Sequence, residues 1–597
     1  MLTMKKILII IPALLLIILN GCTNGFEDIN TNKHEFVKVQ PEYLLASSVK
    51  GSMNLIAELN ANVYWQYSHQ LTVSSMASTA SYGASYSNLN TWWRRFYENI
   101  SLLRDIQNQY SDEPGYENRV QIAKIWEAYM FYIFTTTFGG IPYKDACRSG
   151  VIEIAFDTET DIYISLLNSL KTALETLDPE KDAMYPDVVF PDSDINKWKK
   201  FAAALRLKIA LETQNAIPTE AAQHGTDVIT NYEDLLIKSN TENLFFKWGG
   251  TNTTENSYYY DTYLFNTTKD LPALTHVMFL YYRSYPDPRM QAIFDQNKGQ
   301  FLVFDSLYTD ASLTTKQFYQ YEVPYNGRPK TTQKGGLDDN EGYVEETGDP
   351  LRSMNPSQYS YLKTDYLKAD AVQKFIWYAD VCFMKAEAKL LGWGGTKSVE
   401  EYYNEGISAS FAQYGLSDAQ ANTYKNLNGI KWNTERTDAL PDHFRLITAN
   451  IPNDPLHKII VQRWLAGIFD GSHDAYCYIR RTRKIELLPH FAPTTDAMGA
   501  GTKIANLPER LQYPSSEIQY NGVAYNKAVQ NLQGGFDFLS SYLKIAKVYD
   551  RKTYEQWKTV NLRVNNDAWI KWYGQTEQDL INAGLVINVN YFVLHLK

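Results

Sequence analysis

The clearest periodic pattern of apolar residues lies within residues 375–414. Its apolar residues are spaced by three and four positions: Ile376, Ala379, Phe383, Ala386 and Leu390. This spacing predicts one face of an α-helix. Three glycines between positions 392 and 395 predict its end, because glycine adopts the left-handed conformation of a helix C-terminus without steric cost. Ser398, followed by Glu401, has the spacing of a capping box and predicts a second helix. We therefore expect a helical hairpin about the size of a tetratricopeptide unit, roughly 34 residues.

The same periodicity predicts further helices on both sides of this hairpin. They cover residues 41–71, 91–110, 118–138, 157–177, 193–213, 219–232 and 457–469. We expect 118–138 to pair with 157–177, and 193–213 with 219–232. Five tryptophans lie within helical stripes and are predicted to belong to the core: Trp92, Trp93, Trp126, Trp198 and Trp377. The fold class is therefore mainly α, a tetratricopeptide-like scaffold of helical hairpins.

Residues 235–371 interrupt the helical pattern with a long segment rich in Tyr, Asn, Thr, Gly and Pro. Only residues 273–282 have a short helical pattern, and the stretches NLFFKW, FLVFD and QFYQYEV predict short strands. A long irregular segment is usually either functional or disordered, and the density of aromatic side chains argues against disorder. We expect residues 235–371 to form an irregular, loop-rich lobe that recognises a ligand. Residues 416–455 are predicted to be another polar loop.

The N-terminus has the pattern of an export signal. Two lysines precede an uninterrupted apolar run at residues 7–19, which is too short to span a bilayer comfortably. The sequence LNGC that follows resembles a bacterial lipoprotein signal, which implies cleavage before Cys22 and attachment of lipid to this cysteine. Residues 1–21 are then a lipoprotein signal peptide and residues 22–40 a lipidated polar tether. The anchored chain is expected to stay on a membrane while its body remains water-soluble.

Composition adds constraints on partners. The chain has 44 Tyr and 13 Trp among 597 residues, and amphipathic aromatics in such excess are typical of surfaces that contact another molecule. A Tyr-rich helical core is the alternative. The formal net charge is -10 without a basic cluster, so nucleic acid is not an expected partner. The three cysteines besides Cys22 are widely spaced and imply neither a disulfide framework nor a cysteine-based metal site.

Several stretches approach catalytic or metal-binding motifs without completing one. In GWGGTKS, Thr396 interrupts the Gly-Lys-Ser of a phosphate loop. His473 and Cys477 are four residues apart but lack a second ligand pair, and the acidic residues of 338–349 favour a solvated loop over a calcium site. The sequence has no nucleophile elbow and no zinc helix. It therefore predicts no catalytic residue, no metal and no cofactor. A surface glycoside hydrolase stays an alternative function, because the two carboxylates of such an enzyme are paired in space and not in sequence.

Several segments, taken in order, resemble the SusD/RagB family of nutrient-binding outer-membrane lipoproteins. They are FEDIN, FGGIPY, DPRM, YADVCFMKAEAKLLGW with YYNEGISASF, IIVQRWLAGIFDG, RRT, LPERLQYPSSEIQYN and GGFD. The resemblance covers residues 22–550. Two departures stand out: Asp474-Ala475-Tyr476 replaces the usual Glu-Ala-Trp, and residues 551–597 form an extension of unknown role.

The resemblance implies both an architecture and a function. Residues 41–234 would be the N-terminal helical scaffold, 235–371 the aromatic-rich lobe and 372–550 the C-terminal region with the helical hairpin. The protein would be a non-enzymatic lipoprotein of the outer membrane, facing the cell surface. It would bind oligosaccharides and deliver them to a SusC-like TonB-dependent transporter. A peptide-binding, RagB-like receptor is the alternative.

Candidate ligand contacts follow from side-chain chemistry, because the ligand contacts of the family vary in position. A glycan offers C–H faces and hydroxyls, so its receptor needs flat aromatic rings and amide or acid groups. The loops supply such groups at Tyr82, Tyr86, Trp248, Tyr258, Tyr259, Tyr260, Tyr319, Tyr321, Tyr325 and Asn326. We expect a subset of these to line the site, with ordinary packing as the alternative for each.

Overall fold

Helices dominate the part of the chain that the structure describes. The computed structural model describes residues 38–73, 85–148, 150, 153–265, 271–297, 302–308, 316–322, 325, 359–436, 451–485, 507–532, 535–539 and 541–548. The predicted lipidation site, the acidic residues of 338–349 and the 551–597 extension lie outside these ranges. Among the described helices, none is both long enough and apolar enough to cross a membrane.

The N-terminal part is built from helices that pair in sequence order. Its elements are α1 (Pro41–Leu59), β1 (Leu71–Thr72), α2 (Tyr86–Tyr110), α3 (Glu117–Phe138), α4 (Glu159–Thr176), α5 (Ile195–Thr213) and α6 (Pro218–Asn231). Helix α1 packs against α2, α3 against α4, and α5 against α6. The predicted pairing of 118–138 with 157–177 and of 193–213 with 219–232 is therefore confirmed.

The segment between the two helical parts contains short strands, as predicted, and few helices. Its elements are β2 (Leu244–Lys247), β3 (Ala273–Leu274), α7 (His276–Ser284), α8 (Arg289–Ile293), β4 (Leu302–Tyr308) and β5 (Lys316–Glu322). The described strands form three antiparallel pairs, β1 with β3, β4 with β5, and β2 with β6 (Val372–Ile376). The last pair joins this segment to the residues that precede the next helix.

The C-terminal part returns to helices. They are α9 (Tyr378–Leu390), α10 (Val399–Gln413), α11 (Asp418–Lys425), α12 (Pro455–Ala466), α13 (Ser472–Thr482), α14 (Ser515–Tyr520) and α15 (Gly522–Asn531). The predicted hairpin is α9 with α10. Ser398 accepts a hydrogen bond from the backbone of Glu401, whose carboxylate accepts one in return, so the predicted capping box is present. Gly394 and Gly395 have φ angles of 112° and 107°, which only glycine adopts readily.

Two sequence-based predictions for this part were wrong. Ile376 lies in β6 and not in the helix, because its strand partner Leu244 holds the chain extended up to the start of α9. Residues 416–455 are not only loop, since they contain α11, which starts with a second capping box formed by Ser417 and Gln420. Helix α11 buries only Ala421 and Tyr424, so its apolar pattern is too sparse to predict a helix.

The core is rich in aromatic side chains. All five tryptophans that were predicted to be buried are at most 5% exposed. Many tyrosines are buried as well, among them Tyr64, Tyr67, Tyr132 and Tyr163. The excess of tyrosine is therefore due in part to the helical core and not only to contact surfaces.

A network of buried charges joins the two helical parts. Its members are Lys208 and Glu212 of α5, Asp380 and Glu387 of α9, Arg463 of α12, and Asp474 and Arg481 of α13. Each cation bridges two carboxylates: the ammonium of Lys208, for example, contacts both Asp380, at 3.2 Å, and Asp474. Buried charges are tolerated only when they are paired. The network therefore fixes α9, α12 and α13 in position on α5.

Candidate ligand-binding surface

A buried π-helical turn contacts the two residues that directly precede a second π-helical turn. The first, Asn60–Tyr64, directly follows α1, and the second is Tyr260–Phe265. Asn60 donates from Nδ2 to the hydroxyl of Tyr259 at 3.3 Å, and Asn62 donates to the hydroxyl of Tyr258 at the same distance. Single π-helical turns are rare and occur frequently at functional sites. Because the first turn is buried, we call the accessible side chains of the second turn, together with Tyr258, the π-turn surface.

Stacked aromatic rings support this surface from inside. The rings of Trp65 and Tyr259 are stacked, with centroids 5.4 Å apart and an interplanar angle of 18°. Phe469 packs on both, at 5.3 Å and 4.6 Å, and its carbonyl oxygen accepts a hydrogen bond of 3.0 Å from the indole N–H of Trp65. Tyr263, at 6.0 Å from Trp65, extends the stack. The second π-helical turn therefore rests on a rigid aromatic base.

The outer side of the second turn presents two aromatic rings beside a carboxylate. Tyr260 is half-buried, Phe265 is 63% exposed, and their ring centroids are 6.2 Å apart. Asp261 lies between them in the chain, and its Oδ1 accepts a hydrogen bond of 2.9 Å from Nδ2 of Asn256. This arrangement combines apolar ring faces with a fixed hydrogen-bond acceptor.

Polar groups continue the π-turn surface toward α2. Glu58 accepts a hydrogen bond of 2.8 Å from the indole N–H of Trp92 and forms an ion pair with Arg95. Arg95 also donates to Oδ1 of Asn54 at 2.6 Å. Burial raises the pKa of Tyr258, and the negative charge of Glu58 raises it further. Tyr258 therefore stays a neutral phenol that can donate or accept a hydrogen bond.

The predicted candidate residues occupy three kinds of position. Tyr258, Tyr259 and Tyr260 come together at the π-turn surface, although Tyr259 is only 1% exposed and belongs to its aromatic base. Trp248 is 3% exposed and donates from Nε1 to Oε1 of Gln373 at 3.4 Å. Tyr325 is half-buried and packs against the core.

The remaining candidates are described only in part or not at all. Tyr86 is the first residue of α2. Tyr319 and Tyr321 lie in β5, opposite Asp305 and Val303 of β4. Cys22, Tyr82 and Asn326 lie outside the described residues. The structure brings no further candidate to the π-turn surface within its described residues.

Sequence reasoning missed Phe265, Asp261, Asn62 and Arg95. A signal was present for the first two, since the run SYYYDTYLF places a carboxylate among closely spaced aromatic residues. A second signal was ELNANVYW, in which two asparagines interrupt an otherwise apolar helical pattern. Nothing in the sequence indicates that these two runs meet, because their contact depends on the tertiary fold.

Two cavities in the described part of the chain lie away from the π-turn surface. One, of about 590 Å³, is lined by residues of α6, of the turn after it, of α9 and of the α9–α10 loop, including Glu233, Lys385 and Lys397. The other, of about 380 Å³, lies between α2, α3 and α4. Across the described ranges, no three His, Cys, Asp or Glu side chains are grouped so that they could hold a metal ion. His473 and Cys477 are buried in α13, with Nε2 and Sγ 3.6 Å apart.

Solved structures with this fold come from several bacteria. A SusD homologue from Bacteroides uniformis aligns with a TM-score of 0.64 at 20% identity, covering 85% of this chain and 99% of that one. A chitin-binding SusD homologue from Flavobacterium johnsoniae aligns with a TM-score of 0.64 at 19% identity, covering 84% and 98%. A SusD-like protein from Bacteroides thetaiotaomicron aligns with a TM-score of 0.61 at 19% identity, again covering 84% and 98%.

The sequence itself matches a family model over most of its length. No curated protein sequence matches the chain. The model of SusD-like proteins, which are described as starch-binding and associating with the outer membrane, matches residues 32–514. This range contains the described helical pairs, the lobe between them and the π-turn surface. On the strength of this match and of the shared helical fold, the chain belongs to the SusD-like family.

Proposed function

We propose that this protein is a cell-surface lipoprotein that binds oligosaccharides and delivers them to a TonB-dependent outer-membrane transporter. The observation that carries the proposal is the aromatic pair of half-buried Tyr260 and exposed Phe265 beside the carboxylate of Asp261. A sugar ring can place its C–H face on such rings while its hydroxyls bind polar groups. The family description, starch-binding and associating with the outer membrane, supports the same ligand class.

The rigidity of the π-turn surface favours binding. The aromatic base under the second turn and the hydrogen bond from Asn256 to Asp261 hold the contact groups in place before a ligand arrives. A preformed site loses less conformational entropy on binding. Glu58, Arg95 and Tyr258 would supply further hydrogen bonds to sugar hydroxyls.

The proposed site does not depend on every predicted contact. Tyr82, Tyr86, Tyr319, Tyr321, Tyr325 and Asn326 stay predicted contacts, and Trp248 and Tyr259 would support the site from within. Phe265 and Asp261 are added to it because of their exposure and position. In this proposal no residue acts as a catalyst.

Anchoring and delivery complete the proposal. Lipid on Cys22, with residues 22–40 as a tether, would hold the scaffold at the outer membrane, since several acyl chains give stable attachment. The proposed partner is a SusC-like transporter, to which the receptor passes its ligand. The chitin-binding character of the Flavobacterium johnsoniae homologue makes chitin oligosaccharides one of the first ligands to test.

Isothermal titration tests the proposed function. The mature chain, with Cys22→Ser to keep it soluble, is titrated with oligosaccharides from starch and chitin and with short peptides, and each mixture is then searched for hydrolysis products. Saturable heat from an oligosaccharide without products is the expected result. Saturable heat from peptides alone, or any turnover, would contradict oligosaccharide capture.

A further inference from the structure

A positively lined cavity lies between α2, α3 and α4, separate from the π-turn surface. Its volume is about 380 Å³, and its lining includes Arg104 of α2, Lys124 and Glu127 of α3, and Ser169 and Thr172 of α4. Lys144, from the loop after α3, completes one side. We call this cavity the basic cleft. Its size falls in the range of small-molecule sites, roughly 300–1,000 Å³.

The basic cleft has an excess of positive charge in a protein whose formal net charge is -10. Three cations and one carboxylate line it. The carboxylate, Glu127, is already engaged, because Arg104 contacts it at 2.7 Å and Gln107 donates a hydrogen bond to it. Asp157 lies 3.7 Å from the ammonium of Lys144 and offsets that charge in part. Lys124 forms no ion pair with a carboxylate of the described residues.

Several polar groups of the basic cleft have no partner within the described part of the chain. Lys124 is half-buried and forms no ion pair with any described residue. Nε of Arg104 is buried without a hydrogen-bond partner. The hydroxyls of Ser169 and Thr172 likewise form no hydrogen bond with the described residues. Within the described ranges, the cleft therefore combines an unpaired cation with unpaired hydroxyl groups, and Tyr143 also lines it.

We propose that the basic cleft binds the carboxylate of an acidic sugar, a hexuronate. Lys124 would pair with the carboxylate, Ser169 and Thr172 would hydrogen-bond the sugar hydroxyls, and the ring of Tyr143 would contact a C–H face. The guanidinium of Arg104, which pairs with Glu127, lies 5.6 Å from the centre of that ring. Burial raises the pKa of Tyr143, so the phenol stays neutral and does not repel an anion. This inference does not rest on the proposed function, because it concerns a different site.

Titration with matched sugars tests the proposal. The mature chain carrying Cys22→Ser is titrated with glucuronate, with glucose as the neutral sugar of the same size, and with sulfate as an anion that is not a sugar. Glucuronate is expected to bind at least tenfold more tightly than either. Equal affinity for glucose, affinity for sulfate that matches glucuronate, or no binding of glucuronate would each overturn the proposal.

Substitutions then locate the site. Lys124→Gln is expected to weaken glucuronate binding about tenfold, which corresponds to the loss of about 1.4 kcal/mol, and Lys124→Glu is expected to abolish it. The control is Lys171→Gln, since Lys171 lies on α4 but does not line the cleft and is 47% exposed. Tyr260→Ala is expected to leave glucuronate binding unchanged, which separates this site from the π-turn surface. Loss of binding in the Lys171 variant but not in the Lys124 variants would contradict the assignment.

Discussion

Arg463 donates a hydrogen bond from Nε to Oδ1 of Asp380 at 2.6 Å, although 83 positions separate the two residues in the chain. The same guanidinium contacts Glu212 at 2.8 Å. All three side chains are at most 1% exposed. One cation thus joins α5, α9 and α12, and the stability of the scaffold depends on its charge.

The first prediction concerns this buried arginine. Arg463→Met leaves Asp380 with Lys208 and Glu212 with Arg481, so that two cations remain for four buried carboxylates. We therefore expect a loss of about 3–5 kcal/mol in the free energy of unfolding. Urea unfolding followed by circular dichroism measures it. The control, Arg94→Met, removes an ion pair with Glu98 whose members are 63% and 55% exposed, and should cost less than about 1 kcal/mol. Equal effects of the two substitutions would refute the structural role of the network.

The second prediction concerns the pH dependence of stability. The seven-membered network has three cations and four carboxylates, and His473, with Nδ1 3.6 Å from Asp474, can supply the missing positive charge. Burial by itself lowers the pKa of His473, but the neighbouring Cys477 and Asp474 outweigh burial and raise the pKa to about 9. The rings of Tyr64 and Tyr132 and the hydroxyl of Thr136 enclose the imidazole on its other sides.

Because the folded-state pKa lies above the unfolded value of about 6.5, the stabilisation from His473 is complete below pH 6.5. It is lost as the pH rises to about 9. We expect His473→Gln to remove about 3 kcal/mol of pH dependence in this window. Urea unfolding of the unsubstituted protein and of His473→Gln at several pH values measures the difference in their free energies of unfolding. This difference contains the contributions of both His473 and Cys477. Burial lowers the pKa of Lys458 to about 8, in the same pH range. Because both proteins contain Lys458, its contribution to the pH dependence cancels in the difference. An unchanged slope would show that His473 is neutral.

The third prediction concerns the close approach of α6 to the α9–α10 loop. A Cβ atom at Gly225 would lie 2.1 Å from the indole of Trp393, which no repacking of a single side chain accommodates at little cost. Gly225→Ala is therefore expected to destabilise the fold by about 1–3 kcal/mol through overpacking. Gly522→Ala is the control, since a Cβ there would meet nothing within 4 Å. A neutral Gly225→Ala would mean that the two elements separate more readily than their packing indicates.

The fourth prediction concerns anchoring. Cys22→Ser removes the thiol to which lipid is expected to attach, so the protein should move from the membrane fraction to the soluble fraction of the cell. Immunoblots of the two fractions measure the shift. Cys147→Ser is the matched control, because Cys147 is exposed and is not part of the predicted signal. Membrane retention of Cys22→Ser equal to that of the unmodified protein would contradict lipidation at this residue.

The family-like motifs predicted the fold because their residues contact one another inside it. Asp380 and Glu387 of the YADVCFMKAEAKLLGW segment, Arg463 of IIVQRWLAGIFDG and Arg481 of RRT meet in the buried network. DPRM supplies a second buried ion pair, Asp287 with Arg289. Residues of this kind identify the architecture and carry no information about the ligand. Asp474 stands where the family usually has glutamate, and it still supplies the carboxylate that pairs with Lys208.

The candidate site was harder to predict because adjacent residues in one aromatic run have opposite roles. Tyr259 packs on Trp65 inside, whereas its neighbour Tyr260 lies on the outer side. The π-helical turn begins at Tyr260 and has a period that differs from the 3.6 residues of an α-helix, so helical spacing does not tell which of the two rings packs inside. Phe265 is apolar and would be assigned to a core by its type alone, yet it is 63% exposed. Composition indicated a glycan-type surface, but only the fold selects the rings that form it.

The central claim is that the π-turn surface binds oligosaccharides, and one titration tests it most directly. The oligosaccharide that gives saturable heat with the mature chain is titrated into Tyr260→Ala, Phe265→Ala and, as a control, Tyr520→Ala, whose ring is 73% exposed. We expect about tenfold weaker binding for each of the first two, equivalent to about 1.4 kcal/mol, and unchanged binding for the third. Undiminished affinity in both Tyr260→Ala and Phe265→Ala would contradict the account and place the ligand elsewhere.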